Sequence, residues 1–216
     1  MMTQCETLLE GWVTGLRLLS LLLQEQMTQQ EFRRILETFA GSNQTVVEYF
    51  VGEVLSAQPR ELQYFLLHTS VLSRLCGPLC DAVTERNDSE HLLTELVHAN
   101  LFLQPLDEPG HVVRWYRYHT LFAEAMQHEA RRRFGEDAID AVSFRASQWF
   151  EQHGMFMEAI EATSQTGDLR RLAELIERMI GARHFLEINE FYALRRWLER
   201  IPETLLSQRP LLAFNY

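Results

Sequence analysis

One stretch of this sequence departs from an otherwise helical pattern, and it limits the folds that the chain can adopt. Residues 101–106 form a short apolar run with a proline near its end, and the Asp-Glu-Pro-Gly sequence at 107–110 is typical of a turn. The next segment, 111–118, is rich in Val, Trp and Tyr, which favour extended backbone. Two such runs around a tight turn predict a β-hairpin.

Elsewhere in the first two thirds of the chain, apolar residues recur at spacings of three and four, the period of an amphipathic helix. This spacing predicts helices over residues 5–26, 29–39, 44–57, 59–69, 77–84, 89–98 and 119–133. The predicted inward face of the third helix consists of Val47, Phe50, Val51 and Val54. Pro59 is expected in the first turn of the fourth helix. Three helices followed by a hairpin is the order of a winged-helix domain, which we expect near residues 59–133.

From residue 137 onward the pattern is helical again. A helical hairpin of tetratricopeptide type is indicated by the spacing of Ala146, Trp149, Phe150, Gly154, Phe156, Ala159 and Ile160. Gly167 and Asp168 predict the end of one helix and the N-cap of the next. The predicted fold is therefore mainly α: a winged-helix domain with a β-hairpin wing, followed by tetratricopeptide-like helical hairpins.

Charge and cysteine content narrow the functional classes. The 216 residues hold 20 Lys and Arg against 30 Asp and Glu, a net charge of −10, which disfavours a stand-alone nucleic-acid binder. Three cysteines are too few for a secreted disulfide framework and indicate a reducing compartment. The apolar run at 18–23 is far shorter than a membrane-spanning helix. A cytoplasmic protein that does not contact the membrane is expected.

Several motifs give the chain a family resemblance. They are Glu10 to Leu18 (EGWVTGLRL), Phe65 to Leu72 (FLLHTSVL), Leu79 to Val83 (LCDAV), Asn100 to Leu103 (NLFL), Trp115 to Phe122 (WYRYHTLF) and Ala146 to Ala162. In this order they resemble large ATP-binding LuxR-type transcriptional regulators, the maltose-regulator-like members of the STAND class of signal-transduction ATPases. The segments at 100–103 and 115–122 are the most specific of these matches.

The resemblance implies three parts. Residues 1–58 correspond to the last helices of a nucleotide-binding region, 59–136 to the winged-helix domain, and 137–216 to the start of a helical sensor arm. The sequence contains no G-x-x-x-x-G-K-[ST] loop and no DNA-binding helix-turn-helix. We therefore expect a non-enzymatic central segment, with ATP or ADP held in the full-length parent and none bound by this chain alone. Its expected partners are the P-loop domain of the same polypeptide and an inducer or regulatory protein on the arm.

The resemblance also implies candidate nucleotide-binding residues. The winged-helix histidine of related proteins reaches the β-phosphate of bound ADP, and His119 stands at that position. Arg117 lies beside it, and a histidine at a helix N-terminus has the chemistry to donate to a phosphate. Val13 stands where many family members have a proline that packs on adenine, so Val13 is the third candidate.

Other functions find less support in the residues. Arg114, Arg117 and the run Arg131 to Arg133 form a locally basic segment, which would suit a winged-helix DNA-binding protein. Cys76 and Cys80 match no common zinc spacing, and no nucleophile motif is present, so neither a metal site nor a catalytic site is expected. A free-standing helical-repeat adaptor that uses residues 137–216 to hold a partner protein is the main alternative.

Overall fold

A computed structural model describes residues 50–99, 102–106, 113–181 and 188–207, together with Arg209 and Leu212. Its first element is a π-helical turn, Phe50–Leu55. The helices that follow are α1 (Arg60–Thr69), α2 (Gly77–Thr84), α3 (Ser89–His98), α4 (Thr120–Phe134), α5 (Glu136–Gln152), α6 (Phe156–Ser164), α7 (Leu169–Gly181), α8 (Ile188–Leu198) and α9 (Glu203–Leu206). Strands β1 (Leu103–Leu106) and β2 (Trp115–Tyr118) lie between α3 and α4.

The winged-helix order is confirmed by the structure. Helices α1 to α3 and α4 lie within one or two residues of the predicted ranges. Strands β1 and β2 pair antiparallel, with Leu103 opposite Tyr118 and Leu106 opposite Trp115. The predicted turn at 107–110 lies outside the described residues, as do the predicted helices over 5–26 and 29–39.

A third extended segment joins this sheet, and the sequence did not predict it. Leu75 forms an antiparallel bridge with Tyr116, in which each backbone N–H donates to the other residue's carbonyl, at 2.7 and 2.8 Å. A single paired residue leaves no periodic pattern in the sequence, so only the folded chain reveals it. The bridge ties the turn between α1 and α2 to the middle of the wing.

The start of the described chain differs from the expected α-helical geometry. In the π-helical turn the Ser56 N–H donates to the Val51 carbonyl, five residues back, at 3.1 Å. This wider turn fully buries Phe50 and Leu55, whereas Val51 and Val54 are only half-buried. Val47 lies outside the described residues. Pro59 also differs from expectation, because it precedes the first turn of α1 as its N-cap.

The predicted helical hairpin is confirmed in α5 and α6. Ala146, Phe150, Ala159 and Ile160 are buried between the two helices, and Gly154 makes the turn with a φ of 73°. Inside the hairpin, the hydroxyls of Ser147 and Thr163 share a buried hydrogen bond of 2.7 Å. The next helix begins as predicted, because the Asp168 carboxylate accepts the Arg171 N–H at 3.0 Å.

Side chains connect the winged-helix core to this first hairpin. The Arg74 guanidinium lies 3.7 Å from the centroid of the Trp115 ring and donates to Glu158 on α6 at 3.3 Å. Arg145 on α5 donates twice to the carbonyl of Val83, at the end of α2, at 2.7 and 3.1 Å. These contacts make the wing, α2 and the hairpin one packed body. No described helix is long and apolar enough to cross a membrane.

The close approach of α2 and α3 gives a first prediction. A Cβ at Gly77 would lie 2.5 Å from Glu90 Oε2 and 2.9 Å from Glu90 Cβ, so a side chain there must push α3 away. We expect Gly77→Ala to lower the free energy of unfolding by about 1–3 kcal/mol. Gly181→Ala is the matched control, because no atom of the described residues lies within 4 Å of its Cβ position. Urea unfolding followed by circular dichroism measures both, and equal stabilities would contradict this packing.

A buried histidine gives a second prediction. The His68 side chain is 5% exposed, its Nδ1 contacts the Tyr64 carbonyl at 3.0 Å, and its ring stacks on Tyr64. Burial, and to a smaller extent the positive Arg145, lower the pKa of His68, whereas the Tyr64 carbonyl acts in the opposite direction. The folded protein thus binds this proton less readily than the unfolded chain does.

The free energy of unfolding should therefore carry no penalty from His68 above pH ~6.5. It should decrease as the pH falls below that value, because the unfolded chain then binds the proton more readily. We expect His68→Phe, which keeps an aromatic ring, to flatten the decrease in unfolding free energy between pH 7 and pH 5. Exposed His128 provides the control variant His128→Phe, which should leave the decrease as it is in the unchanged chain. An identical pH dependence in all three proteins would show that His68 does not contribute to it.

Candidate functional site

The wing and the start of α4 bring three polar side chains together. Gln104 on β1 is the direct register partner of Arg117 on β2, so both side chains project from the same face of the strand pair. His119 follows β2 and immediately precedes α4. Gln104 and His119 are half-buried, whereas Arg117 is exposed. The two sequence-predicted residues, His119 and Arg117, thus belong to one cluster.

Hydrogen bonds run through this cluster from the arginine to the histidine. Arg117 Nε donates to Gln104 Oε1 at 3.3 Å. Gln104 Nε2 lies 3.0 Å from His119 Nε2 and 3.4 Å from His119 Nδ1. Gln104 therefore connects the two predicted residues, and we refer to the three as the wing cluster. Apart from this bond, the Arg117 guanidinium makes no hydrogen bond within the described part of the chain.

The backbone around His119 is held from both sides. Its N–H donates to the Phe102 carbonyl at 2.9 Å, and its own carbonyl accepts the Ala123 N–H at 2.9 Å. Phe102 has a φ of 59°, a left-handed conformation that is strained for an aromatic residue. The Phe102 ring stacks on Phe122 and contacts Phe50 edge-on, which holds this conformation. Aromatic packing thus sets the position of the His119 backbone.

The wing cluster has the chemistry of an anion site. Helix α4 has 15 residues, its N-cap is His119, and no side chain within the described residues caps its first turn. The N-terminal end of a helix carries partial positive charge, which favours an anion there. Arg117 adds a full positive charge, and both the guanidinium and an imidazole N–H can donate to phosphate oxygens. The third predicted residue, Val13, lies outside the described residues.

Gln104 is the member of the cluster that sequence analysis missed. The alternation of side chains along a strand predicts that Gln104 and Leu106 lie on the same face of β1. It does not predict which residue of β2 lies opposite Gln104. The register depends on the length and geometry of the connection at 107–114, which the sequence does not specify. Only the paired strands show that Gln104 faces Arg117.

In the predicted basic segment, the run Arg131 to Arg133 pairs with two glutamates, Glu129 and Glu136. Arg132 and Arg133 both bind Glu129, whose side chain is only 2% exposed, and Arg132 holds the pKa of that carboxyl below its usual value. Arg131 pairs with Glu136 at 3.2 Å. On α3, the helix that a winged-helix protein would place in a DNA groove, the exposed residues include Glu90 and Glu95. The exposed face of α3 therefore does not favour contact with DNA phosphates.

The two described cysteines are packed in the core. Cys76 and Cys80 are both buried, and burial raises the pKa of the Cys76 thiol to about 11. A thiol with so high a pKa stays protonated at neutral pH and is a poor nucleophile and metal ligand. Among the described residues, no group of three or more His, Cys, Asp or Glu side chains could hold a metal ion.

Comparison with known proteins finds a family match over part of the chain and similar proteins along most of it. Residues 51–138 match the family described as the MalT winged helix domain. The chain is 29% identical over 204 residues, 94% of its length, to the serine/threonine-protein kinase PknK of Mycobacterium tuberculosis (strain ATCC 25618 / H37Rv), covering 18% of that protein.

The HTH-type transcriptional regulator MalT of two other organisms is also similar. The chain is 27% identical over 214 residues to MalT of Vibrio campbellii, which is 99% of this chain and 23% of the relative. It is 28% identical over 205 residues to MalT of Klebsiella pneumoniae subsp. pneumoniae, or 94% of this chain and 22% of the relative. The chain thus spans about a fifth of the length of these relatives.

The confirmed winged-helix order, the family match over residues 51–138 and the similarity to MalT along nearly the whole chain agree with one another. Residues 51–138 therefore match the MalT winged helix domain, and the chain as a whole is similar to a segment of the MalT regulators.

Proposed function

We propose that this chain couples the nucleotide state of a P-loop domain to a helical sensor arm in an ATP-dependent transcriptional regulator of the LuxR type and STAND class. The observation that carries the proposal is the wing cluster, in which Arg117 and His119 stand at the start of α4 and are joined by Gln104. A phosphate group of ADP, held by the P-loop domain of the same polypeptide, would be the anion that His119 contacts.

The packing supports a mechanical route from that contact to the arm. His119 begins α4, whose Phe122 packs in the aromatic core of the winged helix. From this core, Arg74 and Trp115 contact α6 and α5 of the first helical hairpin. A phosphate that binds His119 would therefore bias the position of the winged helix and the hairpin together.

The remaining components of the proposal follow from the family resemblance. The chain contributes no catalytic residue, and any ATPase activity belongs to the P-loop domain. Val13 is proposed to contact adenine, and an inducer or a regulatory protein would bind the tetratricopeptide-like arm, whose proposed range is 137–216. DNA would be bound by a helix-turn-helix elsewhere in the polypeptide, and the regulator would act in the cytoplasm.

Of the other candidate functions, direct DNA binding by this winged helix is opposed by the exposed Glu90 and Glu95 on α3, because phosphate contacts need Lys or Arg.

The genomic DNA on both sides of this reading frame distinguishes the regulator from a free-standing adaptor. A P-loop motif upstream and a helix-turn-helix downstream, in frame, would support the regulator. Stop codons on both sides would overturn the coupling and favour the adaptor.

Substitution of His119 gives the third prediction. In the polypeptide that carries the P-loop, we expect His119→Ala to accelerate ADP release by about 10- to 100-fold, since a charge-assisted hydrogen bond contributes about 1.5–3 kcal/mol. Release of a fluorescent ADP analogue after addition of excess ADP measures the rate. His128→Ala, an exposed site on the same helix, is the control and should release ADP at the unaltered rate. Unchanged release from His119→Ala would overturn the phosphate contact.

A further inference from the structure

We propose that the left-handed backbone of Phe102 positions His119 for phosphate recognition, because it lets the hairpin ladder end and helix α4 begin at the same residue. This inference deepens the proposed function and rests on it. Phe102 is a positioning residue, which acts through the backbone of His119 and touches no nucleotide. Its ring contributes packing to the core, whereas its backbone decides where the strand pairing stops.

Phe102 and His119 form the pair that follows the last residues of β1 and β2 in the ladder. The strand register places Leu103 opposite Tyr118, so Phe102 falls opposite His119. Every second pair of an antiparallel ladder exchanges two hydrogen bonds, one in each direction. The first of these bonds is present, because the His119 N–H donates to the Phe102 carbonyl at 2.9 Å. The second would join the Phe102 N–H to the His119 carbonyl.

Helix α4 uses the His119 carbonyl instead. This carbonyl accepts the Ala123 N–H at 2.9 Å, which is the first hydrogen bond of the helix. In an extended residue the N–H and the carbonyl point to the same neighbouring strand, whereas in a left-handed residue they point in different directions. With a φ of 59°, Phe102 keeps its carbonyl in the ladder and turns its N–H away. An extended Phe102 would direct its N–H at the His119 carbonyl and compete with Ala123.

The proposed anion site depends on this change from strand to helix at His119. The N-terminal end of α4 attracts an anion, and it lies at His119 because the helix begins there. Arg117 lies beside that end because β2 continues to the residue before His119. A left-handed backbone is costly for a phenylalanine, and strain of this kind is concentrated at functional sites. The strain at Phe102 therefore coincides with the place where the site needs it.

A matched pair of substitutions separates the backbone of Phe102 from its ring. Leucine and isoleucine contain the same atoms and bury similar apolar surface, so Phe102→Leu and Phe102→Ile lose the same aromatic contacts. They differ at Cβ, because a branched Cβ makes a left-handed backbone much less favourable. We therefore expect Phe102→Leu to keep the left-handed backbone and Phe102→Ile to adopt an extended one.

Amide hydrogen exchange of the 216-residue chain, followed by NMR, measures the effect on the start of α4. In Phe102→Ile, the Ala123 amide should lose protection relative to the Cys80 amide. Cys80 donates to the Cys76 carbonyl in α2 and reports on the stability of the whole domain. In Phe102→Leu, the ratio of the two protection factors should stay as it is in the unchanged chain. Equal ratios in the two variants would overturn the backbone requirement.

The functional experiment uses the polypeptide that carries the P-loop, with a fluorescent ADP analogue as the probe. We expect Phe102→Ile to release the analogue about tenfold faster than Phe102→Leu does, and thus to approach the rate of His119→Ala. If His119 were positioned by the Phe102 ring alone, the two variants would release it equally fast.

Phe102→Gly decides the question if Phe102→Ile does not fold. Glycine adopts the left-handed backbone without strain and without a ring. Release from Phe102→Gly at the rate of Phe102→Leu would support the inference, and release at the rate of His119→Ala would overturn it. A native circular dichroism spectrum shows that each variant is folded.

The outcomes separate this inference from the function on which it rests. If His119→Ala accelerates ADP release but Phe102→Ile and Phe102→Leu release ADP equally, positioning by Phe102 is overturned and the phosphate contact stands. If Ala123 loses protection in Phe102→Ile alone but no variant alters ADP release, the backbone requirement stands. Its role in phosphate recognition is then overturned together with the proposed function.

Discussion

The packing of three phenylalanine rings underlies both the winged-helix core and the candidate site. Phe102 stacks on Phe122 with centroids 4.5 Å apart, and Phe50 meets both rings edge-on. The left-handed backbone of Phe102 costs about 1–3 kcal/mol. Burial of a phenylalanine contributes about 1.5–3 kcal/mol, and each aromatic pair adds about 0.5–1.5 kcal/mol, so the packing offsets the strain. Because the Phe102 carbonyl accepts the His119 N–H, this core places the histidine.

The wing also links the core to the helical hairpin. Strand β2 pairs with Leu75 on one side and with β1 on the other. Trp115, the first residue of β2, packs under the Arg74 guanidinium and against the Trp149 ring. A cation–π contact of this kind contributes about 0.5–2 kcal/mol, and the Arg145 hydrogen bonds to Val83 reinforce it. The small sheet therefore serves as the joint between two helical units. In the proposed function this joint transmits the effect of a bound phosphate.

Charge is arranged in local pairs along the helical units. Glu129 binds both Arg132 and Arg133 within one helix, and Glu151 on α5 binds both Arg171 and Arg178 on α7. The arginines that look basic in the sequence are thereby used to hold helices. Arg117 is different, because its one hydrogen-bond partner within the described residues is the neutral Gln104. That difference makes Arg117 suited to meet an anion from outside the segment.

The sequence alone determined the elements that depend on short-range pattern. Helices α2 and α3, the hairpin strands, the α5–α6 turn at Gly154 and the Asp168 cap all follow from apolar period, turn residues and capping side chains, which act over a few positions. His119 and Arg117 could also be named from the sequence, because the motif around them resembles a known family.

Tertiary structure decided the features that depend on residues distant in sequence. The Leu75 bridge, the left-handed Phe102 and the meeting of Gln104 with His119 leave no periodic trace. Each of these features depends on a residue of another element, which provides a hydrogen-bond partner or fills a space in the core. Neighbouring residues in the sequence cannot provide these contacts. Strand register and core packing are set by the whole fold, and they decide which side chains meet at the site.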